Sequence, residues 1–182
     1  MRWQVDVPAG VSSPCVWGDR LFLTAFDGGK LWTLCYDTKT GKELWRKDAG
    51  AKKIEAFLAG QGSPAASTAT TDGEHVVVYF GSCGLVAYDF EGKELWRHEL
   101  PVAETNNDFG SGTSPIIEDG LVILVRDLRQ DSAILAIDVN TGRPMWKTAR
   151  PGMATGYSTP VIWAHDGLKE VIAPGGLAMK AY

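Results

Sequence analysis

Residues 38–48 read TKTGKELWRKD, and the phrase returns twice, as FEGKELWRHEL from Phe90 to Leu100 and as NTGRPMWKTAR from Asn140 to Arg150. Read once, it is a polar turn followed by an amphipathic strand. Read three times, it sets a period. Its tryptophan falls at Trp45, Trp96 and Trp146, in steps of 51 and 50 residues. Two other markers keep time with it. Ser or Thr before Pro recurs at Ser13, Ser63, Ser114 and Thr159, in steps of 50, 51 and 45. An Asp closes an apolar run at Asp37, Asp89 and Asp138. Three markers in one register define a repeat architecture.

Each unit parses into four short strands. The first unit gives SPCVW, RLFLTAF, LWTLCYD and ELWRKD; the second gives SPAASTAT, HVVVYFG, LVAYDF and ELWRHEL; the third gives SPIIED, LVILVRD, ILAIDV and PMWKTAR. Tight-turn dipeptides at 18–19, 72–73 and 119–120 separate the first strand from the second. No helical period survives in any window of useful length. An array of four-stranded units at this spacing predicts an all-β fold, a β-propeller of antiparallel blades. The expected division is an orphan outer strand at 2–7 with Trp3 in the tryptophan slot, and blades at 11–50, 62–101 and 110–152. A last blade at 156–182 lacks its outer strand. That is about four blades' worth of strands.

Composition agrees and excludes some functions. The 182 residues are 45% hydrophobic and 22% charged, enough for a real core, and seven tryptophans with 21 glycines suit short strands and turns. A net charge of −4 with no basic run argues against nucleic acid, which needs a positive stripe to replace phosphate counterions. No apolar run approaches a membrane span, and MRWQVDVPAG has no signal-peptide core. Cys15, Cys35 and Cys83 are dispersed and form no CxxC; an odd number rules out a fully paired set, one bridge stays open, and the favoured reading is three small buried side chains.

GKLWTLCYDTKTGKELWR, GLVAYDFEGKELWR and AILAIDVNTGRPMWK together resemble the pyrroloquinoline-quinone-type (PQQ-like) propeller repeat, an L-x-A-x-D strand, a TG turn and K-x-x-W. The resemblance spans essentially the whole chain, and Ser12–Pro14 fits it too. It implies a bacterial protein of the periplasm or another extracytoplasmic space. It also implies a ring of seven or eight blades, of which this chain is about half. Two readings of that half stay open: a fragment of a larger propeller, or a half-ring that self-association completes. For function the family implies a non-catalytic scaffold or protein-binding module, like the propeller lipoprotein of the outer-membrane β-barrel assembly machinery. The alternative it implies is a piece of a PQQ-dependent quinoprotein dehydrogenase with quinone and calcium. The adjacent Cys-Cys pair of many such enzymes is missing here, and no calcium-ligand set matches residue by residue. A hydrolase or carbohydrate-acting propeller is a third alternative.

The repeated residues read as architecture. Asp37, Gly41 and Trp45, with Asp89, Gly92 and Trp96 and with Asp138, Gly142 and Trp146, make up the structural motif. An Asp at a strand end accepts turn N–H groups, and Gly supplies a positive φ. A tryptophan recurring once per blade belongs at a seam between blades, its indole N–H on a carbonyl. The second copy is one residue shorter in the turn alone.

Function is then expected where the chain does not repeat. The connections 49–62 and 101–112 are long, and the turns at 27–30, 81–84 and 127–133 differ from one another. These segments are expected on one face of the propeller, opposite the uniform Asp-Thr-Gly turns. That variable face is the predicted surface for a protein partner or a small ligand. Glu104, Asn106, Asn107 and Asp108 form its densest oxygen set and the candidate binding loop, although four adjacent polar residues also describe a solvated loop. Arg126, Asp127, Arg129 and Asp131 read as an ion-pair set on an exposed turn. No motif for a nucleophile or a metal is present, so no catalytic, cofactor-binding or metal-ligating residue is assigned.

Overall fold

The computed structural model describes all 182 residues. Fifteen strands form four antiparallel sheets, each a meander in chain order. The first blade is β1 (Cys15–Trp17), β2 (Arg20–Asp27), β3 (Lys30–Asp37) and β4 (Glu43–Asp48). The second is β5 (Thr70–Thr71), β6 (Val76–Phe80), β7 (Gly84–Tyr88) and β8 (Glu94–Glu99). The third is β9 (Ile116–Glu118), β10 (Leu121–Arg126), β11 (Ala133–Asp138) and β12 (Pro144–Ala149). The fourth has three strands, β13 (Val161–His165), β14 (Leu168–Pro174) and β15 (Met179–Ala181).

The two central strands of blades two and three are apolar on both faces because each face meets another blade. The front of blade one, with Phe22, Leu31 and Cys35, packs on Val76, Val78 and Phe80 of blade two. The other side of blade two, with Tyr79, Leu85 and Trp96, packs on Val122, Leu124 and Leu135 of blade three. Ile123, Val125 and Ile134 then cover Val171 and Ala173 of blade four. The core is therefore a series of seams.

The seams between blades one and two and between blades two and three are locked by the repeated phrase. Trp45 donates its indole N–H to the carbonyl of Phe90 at 2.8 Å, and Trp96 donates to Val139 at 2.6 Å. Each ring lies on the glycine of the neighbouring turn. A Cβ at Gly92 would meet the Trp45 ring at 2.7 Å, and one at Gly142 would meet Trp96 at 2.7 Å. Those glycines have φ of 81° and 70°, where side chains are strained. The Asp prepares the turn: Asp37 Oδ1 accepts from the Lys39 and Thr40 amides and from the Thr40 hydroxyl. Asp138 repeats all three bonds with Asn140 and Thr141.

Two sequence expectations change. The Ser-Pro marker slips in the second unit. Ser13 N bonds Thr68 Oγ1, Thr68 N bonds Ser114 Oγ and Ser114 N bonds Thr159 Oγ1. Thr68, and not Ser63, therefore holds the inner-strand position, and of SPAASTAT only Thr70 at its end, followed by Thr71, forms a strand. Residues 2–7 form no strand and pair with none of the four sheets. Trp3 nevertheless fills the tryptophan slot, donating to Thr38 O at 2.9 Å and lying on Gly41.

Candidate functional site

The non-repeating segments gather on one face. Ala103 N bonds Gly81 O, and Glu55 N bonds Ser82 Oγ, so each long connection is tied to the turn 81–84. Arg129 N bonds Glu104 O, tying the 101–112 connection to the turn 127–133. Asn106 N bonds Thr155 Oγ1, reaching the connection into blade four. The platform is thus stitched by backbone amides, which fixes the loops in place while leaving side chains free.

Beneath it lies a buried polar layer. Glu55, only 2% exposed, accepts from Ser111 N at 3.1 Å and Ser111 Oγ at 2.6 Å, both on Oε2. Its Oε1 has no partner. Burial pushes the carboxyl up to about 7, against the pull of the Ser111 donors and the Arg126 charge. Arg126 donates Nε to Tyr79 Oη at 3.2 Å and Nη2 to the Pro101 carbonyl. Asp127 pairs with Arg150 through both oxygens, at 2.7 and 2.9 Å, in full burial. Arg150 also donates to Tyr182 Oη at 2.7 Å and to the carbonyls of Ala173 and Pro174. Its donors are satisfied within the fold, which is the condition for a guanidinium to be buried.

This overturns the expectation of an exposed ion-pair set at 126–131. Arg126 and Asp127 are buried, and Asp127 binds Arg150 from the end of β12 instead. Arg129 is exposed and pairs with Glu104 at 3.3 Å. The candidate loop residues lie together on the platform but do not converge. Asn106, Asn107 and Asp108 form one short, exposed 3-10 turn with Asn107 and Asp108 at φ of 57° and 53°. Glu104 points to Arg129. No three His, Cys, Asp or Glu side chains gather anywhere as a metal site.

Two grooves run beside this platform, sharing Leu100, Pro101 and Val102 as their common wall. One, of about 480 Å³, is bordered by Lys52, Lys53, Cys83 and Arg97. The other, of about 470 Å³, is bordered by His98, Leu128, Asp131 and Trp146. The Cys83 thiol is pushed up to about 11 by burial, so it stays protonated and unreactive at neutral pH. Neither histidine nor thiol is paired here as a base with a nucleophile.

A quinone with calcium would need several carboxylate or amide oxygens in one coordination sphere and a free aromatic platform. Glu55 stands as a lone carboxylate, bonded to Ser111 through Oε2, the loop oxygens at 104–108 face solvent without converging, and no three His, Cys, Asp or Glu side chains gather beside an aromatic ring. The residues present do not fit that pair.

Comparison with known proteins agrees with the fold. The PQQ-like family model described as "Outer membrane protein assembly factor BamB" matches residues 1–111 and again 35–178. Among curated protein sequences none matches. Among solved structures, BamB from Moraxella catarrhalis is 20% identical with a TM-score of 0.55, over 85% of this chain and 40% of that one. The quinohemoprotein alcohol dehydrogenase from Comamonas testosteroni is 20% identical with a TM-score of 0.59, over 78% and 21%. The computationally designed Ika4 protein is 13% identical with a TM-score of 0.63, over 98% and 93%. The chain therefore spans well under half the length of the natural structures it resembles. With its seams, its repeated turns and a family match over nearly every residue, the chain belongs to the PQQ-like β-propeller repeat family described by that assembly-factor model.

Proposed function

We propose that this chain is a non-catalytic PQQ-like propeller module that binds a protein partner through its variable loop face, in an extracytoplasmic compartment. The observation that carries the reading is the platform itself: the long connections and irregular turns are tied together by backbone bonds while Asn106, Asn107, Asp108 and Arg129 stay exposed. A fixed backbone with free polar side chains around half-buried Phe57 and Phe109 suits recognition of another surface, where an apolar centre and polar rim recur. The family's named assembly factor supports a protein partner in preference to a small ligand. No helix is long and apolar enough to cross a membrane.

The second reading, a piece of a quinoprotein dehydrogenase, draws on the fold shared with the quinohemoprotein enzyme. Two measurements separate the readings. A photocrosslinker placed at Asn107 or Arg129 is expected to capture a discrete envelope protein, whereas one at Lys39 or Asn140 on the uniform turns captures none. Capture at the uniform turns alone contradicts the proposal. Retention of quinone absorbance after desalting with calcium, together with dye-linked alcohol oxidation, would favour the dehydrogenase.

A further inference from the structure

We propose that Glu55 is a proton-controlled latch: with a proton on its carboxyl it holds the 49–62 connection down on the loop face, and without one it lets that connection lift. The latch controls the loop face, and its use, though not its existence, rests on the binding reading of that face.

The first ground is how little else holds the connection. Of residues 50–62, Glu55 alone is buried. Ala51, Ile54 and Phe57 are half-buried, and Phe57 meets Phe26 edge-on with ring centres 5.4 Å apart. Lys52, Lys53, Ala56 and residues 58–61 face solvent. Glu55 N donates to Ser82 Oγ at 3.0 Å, and this is the only hydrogen bond from 50–62 to the turn 81–84. Ser111 N and Oγ donate to Glu55 Oε2, and these are the only hydrogen bonds from 50–62 to the connection 101–112. One residue therefore joins all three segments. Its seat is built for it. A Cβ on Gly81 would lie 2.4 Å from Oε2 and 2.1 Å from Ser111 Oγ, so only glycine leaves room for the pair there.

The second ground is the charge around that seat. Arg126 on β10 is the one cation acting on the carboxyl, and its guanidinium is turned to Tyr79 Oη and the Pro101 carbonyl instead. The other titratable groups that face Glu55 are Tyr79 on β6, Cys83 in the turn 81–84 and Tyr157 in the connection into blade four. Burial holds all three above their ordinary values, so they stay neutral at neutral pH. The histidines face other partners: His75 faces Asp72, His98 the Gly142 carbonyl and His165 Glu170. Ionised, Glu55 is a buried anion with no paired cation, and its Oε1 has no donor. Protonated, it leaves only a neutral hydroxyl without an acceptor, which is the smaller cost. Loss of the proton thus favours any opening that returns the carboxyl to water. Lifting 50–62 does so for three hydrogen bonds and a few half-buried contacts, with the blade ladders intact. A Cβ on Gly110 would lie 3.3 Å from the Phe57 Cβ, so the apolar centre of the loop face moves with the connection.

Hydrogen exchange of two amides tests this, followed by nuclear magnetic resonance on the full chain and corrected for the intrinsic effect of pH. The reporters are Glu55 N, bonded to Ser82, and Ser111 N, bonded to Glu55. Both are expected to exchange faster than the ladder amides of β6 and β7 at every pH. Their protection is expected to fall about tenfold per pH unit from 4.5 to about 7, roughly 300-fold in all, and then to level. Glu55→Gln is expected to keep it constant over that range. Ser111→Ala, which keeps the carboxyl and removes a latch bond, is expected to lower the protection of Glu55 N in mild acid. Flat protection in the unaltered chain, a fall that persists in Glu55→Gln, or unchanged protection in Ser111→Ala overturns the latch. So does exchange of both amides at the rate of the β6 and β7 ladders, because the carboxyl then reaches water only when the whole chain unfolds. The unaltered chain and Ser111→Ala decide the matter by themselves if Glu55→Gln does not fold. Crosslinking at Asn107 stays separate: capture there with flat protection removes the latch alone, and a working latch without capture removes the binding reading alone.

Discussion

Trp96 and Trp146 occupy the same place in the repeated phrase and meet different surroundings. Trp96 is 8% exposed, lies on Gly142 and bonds Val139 O. Trp146 is 36% exposed, and no glycine of a neighbouring turn lies against its ring. Trp96→Ala is accordingly expected to cost about 3–5 kcal/mol of stability, and Trp146→Ala less than about 1 kcal/mol, in urea titrations. Gly92→Ala places a methyl at φ 81° against the Trp45 ring. It is expected to cost about 2 kcal/mol or more, with a red shift in tryptophan emission as Trp45 is displaced. Glu55 gives a pH signature of known sign. Its carboxyl rises from 4.5 unfolded to about 7 folded, so the fold favours the protonated form. Its contribution to stability is expected to be full below pH 4.5, to fall by about 3 kcal/mol as pH rises to about 7, and then to level. Glu55→Gln is expected to remove that slope; an unchanged slope assigns it to other groups.

At the scale of single elements, the outer hairpin was the most legible part of the sequence. Asp37, Thr40 and Gly41 do in the structure what their chemistry dictates, and so do Asp138, Thr141 and Gly142. The Asp37 carboxyl is held low first by the Thr40 hydroxyl and then by the Thr40 amide. Its contribution is present at neutral pH and lost as pH falls through its depressed folded value. Asp37→Ala is expected to lower the thermal midpoint at pH 7 and to have little effect in acid, below that value. The inner strand of blade two was less legible. Ser63–Pro64 imitates the marker, but the long connection before it delays the strand until Thr70. Strand position there is set by Ser13–Thr68 and Thr68–Ser114 bonds between blades, which no local pattern reports. The buried polar layer was missed for a related reason. Arg150 stands where the other units have Ala49 and Leu100, so a break in the repeat was its only signal. Glu55 was marked only by being a lone carboxylate within IEAFLAG.

The whole molecule is an arc of seams with a uniform turn side and a variable loop side. The period alone determines the arc, because each blade buries its faces only on its neighbours. The loop side was predicted as a face from connection lengths. Its stitching through Ser82, Ser111 and Thr155 depends on folded proximity across tens of residues. The central claim is that the recurring tryptophan is a seam lock and not a ligand platform. Hydrogen exchange of the indole N–H groups, followed by nuclear magnetic resonance, tests it in one spectrum. The account predicts strong protection at Trp45 and Trp96, intermediate protection at the half-buried Trp3 and rapid exchange at Trp146. Equal protection at all four, or rapid exchange at Trp45 and Trp96, would contradict it.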